Sequence, residues 1–364
     1  MPAGTFTASN MPDVLLKQHL LFDKGRLNVQ RKNPRINSAK AVFENQTFRT
    51  ELVMTGTECT GVKVAWLKVC DDVVVDNSVT PMSCILGGAE SESVGATIAP
   101  NFFFYKDFVV TNKQCNDLYT YEDKMAENML KYKIFLEEQL NKKVNATLLG
   151  AAMPASDYDG VLPIGWTEDD PAFVFPYGES ISDKTLSEML VIADMSNIES
   201  PVWIGDATWQ ASTTLAKYGN NQGGEVHDTS GLLTEMGNFY FDAKTMNLIG
   251  ADYGKIIGFD PGNVGIWTIN EYDNEVPQPF GDGVKWVWRE QSMNLKDQNG
   301  NPIFFDAIME SSCIIGNNGM PRLSTKVRLV LRGGVVVGPG ECNDADTGII
   351  YMKQGAAPEP EVEE

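Results

Sequence analysis

Hydrophobic and polar residues alternate over residues 47–54, and this period of two predicts a β-strand. Two more extended segments follow, a valine-rich one at 61–70 and one at 96–110 that contains four consecutive aromatic residues. Residues 87–95 are rich in glycine and serine, which is typical of the exposed tip of a hairpin. Because a projecting hairpin cannot bury its own faces, we expect it to need a partner.

The clearest helical pattern covers residues 120–149. Thr120 is placed to cap the helix, and Glu122 and Asp123 suit its positive N-terminal end. Apolar residues recur every three or four positions at Met125, Met129, Tyr132, Leu136, Leu140 and Val144. At about 1.5 Å per residue the helix is roughly 40 Å long, which is too long for one small core to enclose.

The pattern in the rest of the sequence predicts shorter helices and strands. A helix at 182–196, a strand at 201–204 and a second helix capped by Asp206 indicate a compact α/β subdomain. Glycines separate the short strands predicted at 239–241, 255–257, 264–269 and 284–289. Asn299-Gly300 is a strong hairpin signal, and residues 326–332 alternate again.

Charge divides the chain into two unequal parts. The first 40 residues hold two acids and seven bases, namely Lys17, Lys24, Arg26, Arg31, Lys32, Arg35 and Lys40. Of the 29 bases and 49 acids in the whole chain, the other 324 residues therefore hold 22 and 47. A basic arm on an acidic body is suited to contact nucleic acid or another copy of the chain. The alternative for the arm alone is a solvated, partly disordered terminus.

Length and composition narrow the class of protein. At 364 residues, we expect two subdomains or one elaborated domain. The net charge of −20 argues against general binding of the body to nucleic acid or to a membrane surface. There is no apolar run of about 18 residues and no secretory signal pattern. The six cysteines are scattered without a CxxC pair, which favours free thiols over disulfides or a zinc site.

Candidate catalytic chemistry is sparse. His19 and His227 lack the sequence context of a catalytic triad. Residues 250–256 fall one residue short of a P-loop, and residues 297–301 have only the first spacing of a calcium loop. The acidic residues 168–170, with Asp157 and Asp159, are the remaining candidates for a hard-cation site or a general acid/base pair. Acidic loops are common in so acidic a chain, and we predict no catalytic residue, cofactor or metal.

The order of these elements resembles that of tailed-phage major capsid proteins of the Hong Kong 97-like fold, an α+β fold. Residues 96–99 and the helix that ends at 148–150 are similar to the end of the family's extended loop and its spine helix. A second resemblance, to the strand and following helix of the axial subdomain, lies in residues 197–217. It is carried by Pro201-Val-Trp-Ile204, Asp206 and Trp209.

The resemblance implies a division of the chain. The expected parts are a basic N-terminal arm at 1–40, an extended loop region at 41–110, a peripheral subdomain at 111–182 with spine helix 120–149, an axial subdomain at 183–299, return strands of the peripheral subdomain at 300–353, and an acidic disordered tail at 354–364. The arm would cross neighbouring subunits, where its bases would meet acidic neighbours or packaged DNA.

The resemblance also implies a function without catalysis. Such a subunit self-assembles as hexamers and pentamers into an icosahedral bacteriophage capsid that encloses double-stranded DNA without sequence specificity. Because the arm begins close to Met1, we expect a separate scaffolding protein, together with a portal and cement proteins as partners, and no membrane. The protein would occupy the host cytoplasm during assembly and then the virion.

Two other functions fit parts of the pattern. A tail-tube or other virion protein would share the acidic, β-rich composition, but it would not need the long helix after the hairpin. A carboxylate-based or metal-dependent hydrolase would use the acidic residues 168–170.

Overall fold

The computed structural model describes sixteen parts of the chain. They are residues 14, 16–18, 36–47, 49–55, 58–67, 93–111, 120–158, 160–176, 183–196, 198, 200–209, 238–242, 254–280, 285–315, 321–338 and 347–355.

The described residues form a mixed α+β fold, as the sequence predicted. The helices are α1 (Asn37–Asn45), α2 (Tyr121–Gly150), α3 (Asp183–Met195) and a 3-10 turn (Ala155–Asp157). The strands are β1 (Arg49–Thr55), β2 (Glu58–Leu67), β3 (Ser93–Ile98), β4 (Phe102–Thr111), β5 (Thr167–Asp169), β6 (Ala172–Phe175), β7 (Val202–Gly205), β8 (Asn238–Phe241), β9 (Ile256–Phe259), β10 (Val264–Thr268), β11 (Gln278–Phe280), β12 (Lys285–Lys296), β13 (Pro302–Ile315), β14 (Pro321–Val337) and β15 (Ile349–Gln354). None of the described helices combines the length and apolarity needed to cross a bilayer.

The first sheet, here named the projecting sheet, contains only β1, β2 and β3. Strand β2 lies in the centre and pairs antiparallel with both neighbours. A bulge at Val53 and Met54 shifts the register of β1. The predicted hairpin is therefore a three-stranded sheet. Of its expected tip at 87–95, residues 93–95 belong instead to β3, where they pair with β2, and residues 87–92 lie outside the described residues.

The second sheet, the body sheet, has the strand order β10-β14-β13-β12-β11, with β4 also paired to β14. Strands β4 and β10 lie on opposite sides of β14 and overlap at Gly333, which pairs with Phe102 on one side and with Thr268 on the other. Helix α2 covers one face of this sheet. The stacked rings of Phe108 and Tyr132, with centroids 5.0 Å apart, are one of its contacts.

The third sheet has the order β5-β6-β15-β9-β7-β8. It packs with α3 around a second core that contains Trp203 and Trp209, both fully buried. As predicted, Asp206 caps the helical turn that follows β7, since its Oδ1 accepts from the backbone N–H groups of Thr208 (2.8 Å) and Trp209 (3.3 Å). The rest of the predicted helix lies outside the described residues.

Strand β15 connects segments that the sequence assigned to different subdomains. It pairs in parallel with β6 on one side and antiparallel with β9 on the other. Ile349, Ile350 and Met352 are fully buried, so the strand needs neighbours on both sides. Gln354, expected in the disordered tail, is the last residue of β15, and residues 356–364 lie outside the described part. The subdomain boundaries stay a prediction.

One proline divides the predicted strand 96–110. Residues 93–98 form β3 in the projecting sheet, whereas residues 102–111 form β4 in the body sheet. Pro100, between them, has no N–H to donate to a ladder. The chain therefore passes from one sheet to the other at this point.

Candidate self-association surfaces

Hydrogen bonds fix both ends of the projecting sheet to the body. Before β1, the Gln46 side chain accepts from the Ile266 N–H at 2.8 Å. After β3, the Asn101 side-chain amide donates to the Val335 carbonyl at 2.8 Å and accepts from the Val335 N–H at 3.1 Å. The Asn101 N–H also donates to the Gly333 carbonyl at 2.9 Å. The body thus sets the position from which the sheet extends.

The projecting sheet has little cover within its own chain. Its central strand, β2, has ten residues and so spans about 33 Å. Among the described elements, no helix or further strand pairs with this sheet or packs broadly against it. A lone three-stranded sheet in water needs a hydrophobic face packed against something else, and its outer strands leave unpaired backbone groups at their edges. Within the described part of the chain, this sheet therefore pairs only among its own three strands.

The long helix begins as the sequence predicted. The Thr120 hydroxyl accepts from the Asp123 N–H at 3.2 Å, and the Asp123 carboxylate accepts from the Thr120 N–H at 3.1 Å, which forms a capping box. Lys17 extends this cluster, because its Nζ lies 2.8 Å from Asp123 Oδ1. Hydrogen bonds from Lys17 and Thr120 outweigh the effect of burial and lower the pKa of Asp123.

The apolar positions predicted on the helix lie against the main core. Met125, Met129, Leu136, Leu140 and Val144 are buried, and Tyr132 is partly buried. The helix has 30 residues, or about 45 Å. It therefore runs along most of the body sheet and contributes one side of the core.

A second stripe of the same helix, missed by sequence analysis, is polar and buried. Lys133, Glu137, Asn141 and Asn145 recur every four residues and are at most 2 % exposed. Lys133 Nζ lies 3.1 Å from Glu290 Oε2 on β12. The other oxygen of Glu290 accepts from the Trp288 indole N–H at 2.8 Å. Both carboxylate oxygens of Glu290 in this buried ion pair therefore have a partner.

The next residue of the stripe is a buried carboxyl group. Glu137 accepts from the Ser292 hydroxyl at 2.6 Å and from the Asn294 amide at 2.7 Å. Burial raises the pKa of Glu137, and these two hydrogen bonds oppose the rise only in part. The group is thus poised to take up a proton more readily than an exposed glutamate.

The C-terminal half of the stripe is linked by hydrogen bonds to α1 and to the residue after β8. The Asn141 side chain accepts from the Ala39 N–H at 2.8 Å and donates to Asp242. Asp242, just after β8, also accepts from the Ser38 hydroxyl at 2.8 Å and from the Asn145 amide at 3.3 Å. One carboxylate therefore joins three segments that are distant in sequence.

Only two bases of the predicted arm lie among the described residues. Lys17 pairs with Asp123, as above, and Lys40 Nζ lies 3.5 Å from Glu44 within α1. Val14 is fully buried in the main core, and residues 37–40 belong to α1. These parts of the arm contact their own body. The remaining bases, which lie outside the described residues, are Lys24, Arg26, Arg31, Lys32 and Arg35.

The face of the body sheet opposite α2, the outward face, combines basic and aromatic side chains. Phe103 and Tyr105 on β4 are 61 % and 54 % exposed. Arg328 lies over the Tyr105 ring, 5.1 Å from its centroid, and makes two hydrogen bonds to Asp107 at 2.7 and 2.8 Å. The hydrogen bond from Arg328 is the main cause that lowers the pKa of Asp107. Large exposed side chains of this kind mark contact surfaces.

Two of the acidic residues considered for a hydrolase, Asp169 and Asp170, are engaged by their own chain, and Asp159 lies outside the described residues. Asp170 accepts from the N–H and hydroxyl of Ser156, both at 2.9 Å, and Asp169 pairs with Lys353 at 2.6 Å. Asp297 accepts from the Asn301 N–H at 2.7 Å and closes the β12–β13 turn, as expected. Within the described ranges, no three His, Cys, Asp or Glu side chains are grouped to hold a metal. His19 and His227 lie outside those ranges.

Comparisons with known proteins find similarity only among solved structures. No family model matches the chain, and no curated protein matches it. A chain from Mycobacterium phage Adephagia is 10% identical with a TM-score of 0.44, over 88% of this chain and 91% of that one. A chain from the cyanophage Pam1 capsid asymmetric unit is 10% identical with a TM-score of 0.42, over 92% and 96%. A chain from the capsid of cyanophage P-SCSP1u is 11% identical with a TM-score of 0.38, over 86% and 90%.

Proposed function

We propose that this chain is the structural subunit of a bacteriophage icosahedral capsid. It self-assembles into hexamers and pentamers that enclose double-stranded DNA, and it has no catalytic task. The observation that carries the proposal is the projecting sheet, which is fixed at both ends by Gln46 and Asn101 but lacks broad cover from the described body. A sheet that is held at both ends and lacks broad cover from the described elements is suited to contact another copy.

The order of elements supports the same function. The projecting sheet leads through β4 to the 30-residue helix α2, as the resemblance to capsid subunits implied. A tail-tube protein would not need this helix, whereas a shell subunit uses such a helix to span its width. The hydrolase alternative loses support because Asp169 and Asp170 are engaged by Lys353 and Ser156.

The partners and location follow from this proposal. The five arm bases outside the described residues would contact acidic neighbouring subunits or the packaged DNA, to which they would bind without sequence specificity. A scaffolding protein, a portal and cement proteins are the further partners of such a subunit. The protein would be found in the host cytoplasm during assembly and in the virion capsid afterwards.

Electron microscopy and sedimentation of the purified chain test the proposal directly. Closed shells or hexameric capsomers are the expected particles. A compact monomer that never associates at any concentration or salt, or one that shows hydrolytic activity, would contradict it.

A charge-reversed arm tests the role of the arm. Replacing Lys24, Arg26, Arg31, Lys32 and Arg35 with glutamate should prevent shell assembly while leaving the unfolding temperature unchanged. The matched control exchanges lysine and arginine at the same five positions and keeps the charge. Normal shells from the glutamate variant would show that the arm bases are dispensable.

A further inference from the structure

The outward face of the body sheet contains a cleft of about 260 Å³. It is lined by Lys285, Ile308, Glu310, Lys326 and Arg328. Lys285, Glu310 and Lys326 lie side by side on three adjacent strands, because Glu310 pairs with both lysines in the register of β12, β13 and β14. Two strand spacings place the two lysines about 10 Å apart.

The cleft is basic on a strongly acidic protein. Lys285 and Lys326 are exposed. Among the ion pairs of the described residues, none places a carboxylate oxygen within 4 Å of either ammonium nitrogen. Arg328 adds a third positive charge, although it is shared with Asp107. In a chain of net charge −20, such a surface attracts negative groups.

The lining also contains apolar surface. Ile308 is partly exposed at the cleft, and Val109, which pairs with Lys326 on the edge strand β4, is 57 % exposed. Glu310 and Asp107 interrupt the positive charge. A mixed surface of this kind fits an acidic peptide with an apolar side chain better than the dense, uniform charge of a nucleic-acid backbone.

The chain itself contains such a peptide. Residues 355–364 include four glutamates, one valine and two prolines, and no base. Prolines favour an extended peptide, in which glutamates two positions apart are about 6–7 Å from each other. Flexible lysine side chains about 10 Å apart can reach two of them.

We propose that this cleft binds the acidic segment 355–364 of another copy of the chain. Lys285 and Lys326 hold the glutamates, and Ile308 and Val109 contact Val362. The contact rests on the proposed function only in requiring neighbouring copies. It would join residues 355–364 of one subunit to the outward face of the next.

Peptide binding tests the cleft without any shell. A fluorescent peptide of residues 355–364 is titrated into protein truncated after Gln354, and polarisation is measured at low salt. Lys285→Glu with Lys326→Glu should weaken binding about tenfold or more, because two attractive pairs become repulsive. The control, Lys296→Glu with Lys142→Glu, makes the same charge change elsewhere and should bind as the truncated parent does.

A peptide of reversed charge and a DNA duplex complete the binding test. A peptide with lysine at all four glutamate positions should bind the Lys285→Glu/Lys326→Glu variant better than it binds the parent. Equal binding of the original peptide to parent and variant, or no binding to either, overturns the proposal. It is likewise overturned if a short DNA duplex occupies the cleft and the peptide does not compete.

Cross-linking in the full-length protein tests whether the contact joins two copies. A carbodiimide couples a glutamate to a neighbouring lysine, and mixing isotope-labelled with unlabelled protein marks links between chains. Mixed-label links from Glu359, Glu361, Glu363 or Glu364 to Lys285 or Lys326 support the proposal, and links only within single chains overturn it. Because dimers suffice, failure of shell assembly in the microscopy experiment is a separate result.

Discussion

The projecting sheet and the body sheet are both antiparallel, yet they are stabilised in different ways. The body sheet has α2 over one face, and its strands contribute buried residues such as Phe305 and Trp288 to the main core. Among the described elements, the projecting sheet has its own three strands and the hydrogen bonds at Gln46 and Asn101. The comparison shows that the body sheet contributes to the main core with α2, whereas the proposed function assigns the projecting sheet to contact with another copy.

The comparison predicts opposite results for substitutions in the two sheets. Changes beneath α2 should lower the free energy of unfolding of the isolated subunit. Changes in the projecting sheet should leave that free energy nearly unchanged and act on assembly.

Truncating the core of the body sheet should have the largest effect on folding. Phe305 is fully buried on β13, so Phe305→Ala should cost about 3–5 kcal/mol through lost burial and a cavity. Chemical denaturation of the unassembled subunit measures the change. Glu310→Ala, at an exposed position of the same strand, is the control and should change the free energy by less than about 0.5 kcal/mol. Similar losses in both would place Phe305 outside the core.

Removing one charge of the buried Lys133–Glu290 ion pair should have the second-largest effect on the free energy of unfolding. Lys133→Met leaves Glu290 buried beside only the Trp288 indole, and we expect a loss of about 3 kcal/mol. Lys133→Met with Glu290→Gln removes both charges, so the double variant should recover much of that loss. Denaturation of wild type, singles and double gives the coupling energy. A double variant no better than Lys133→Met would show that the lost charge pairing is not the cause.

The buried carboxyl of Glu137 should make stability depend on pH. Its pKa in the folded chain is raised above the ordinary 4.5, so its contribution is full below about pH 4.5 and is lost as pH rises through the raised value. Each unit of the rise corresponds to about 1.4 kcal/mol. Glu137→Gln cannot ionise and should gain stability relative to wild type as pH increases.

The measurement is the difference in unfolding free energy between the Gln variant and wild type from pH 4 to pH 8. Asp306 is another buried carboxyl of the body sheet with a raised pKa. Because it is present in both proteins, its contribution to the pH dependence cancels in the difference. Parallel curves would mean that Glu137 does not titrate in this range.

An exposed ion pair of the body sheet should matter much less. Asp107 and Arg328 form two short hydrogen bonds, but their side chains are 31% and 46% exposed. Asp107→Asn should therefore cost no more than about 1 kcal/mol, and the cost should shrink further in 1 M salt because exposed charges are screened. A loss comparable to that of Phe305→Ala would show that the outward face is part of the core.

The smallest effect on folding, and the largest on assembly, is expected at the centre of the projecting sheet. Val64 pairs with Thr50 and with Ala96, and Val64→Pro removes a backbone donor between two strands. The unfolding free energy of the body should stay within about 0.5 kcal/mol of wild type, while microscopy should show no shells. Val64→Thr keeps the N–H and should assemble. A destabilised body would mean that the two sheets fold as one unit.

Local sequence signals predicted much of this fold. The Thr120 cap, the period of the apolar residues on α2 and the Asp206 cap depend on residues close together in sequence, and each is present in the structure. Pairing over long distances was not predictable. The register of β4 with β14 joins residues more than 200 positions apart, and no local pattern specifies it.

The polar stripe of α2 shows a second limit. Sequence analysis assigned no role to Lys133, Glu137, Asn141 and Asn145, because polar side chains on an amphipathic helix ordinarily face water. Their regular spacing of four residues was the available signal, but their partners, such as Glu290 and Asp242, lie 97 to 157 residues further along. Burial of the stripe follows from those partners and not from the helix alone.

The overlap of β4 and β10 on opposite sides of β14 has a mechanical consequence. Asn101, at the root of the projecting sheet, is bonded to Gly333 and Val335 at this junction, and a side chain at position 333 would clash with the Trp267 carbonyl. The backbone is closely packed at this point. A pull on the projecting sheet would therefore load β14, whose 17 residues pair with β4, β10 and β13.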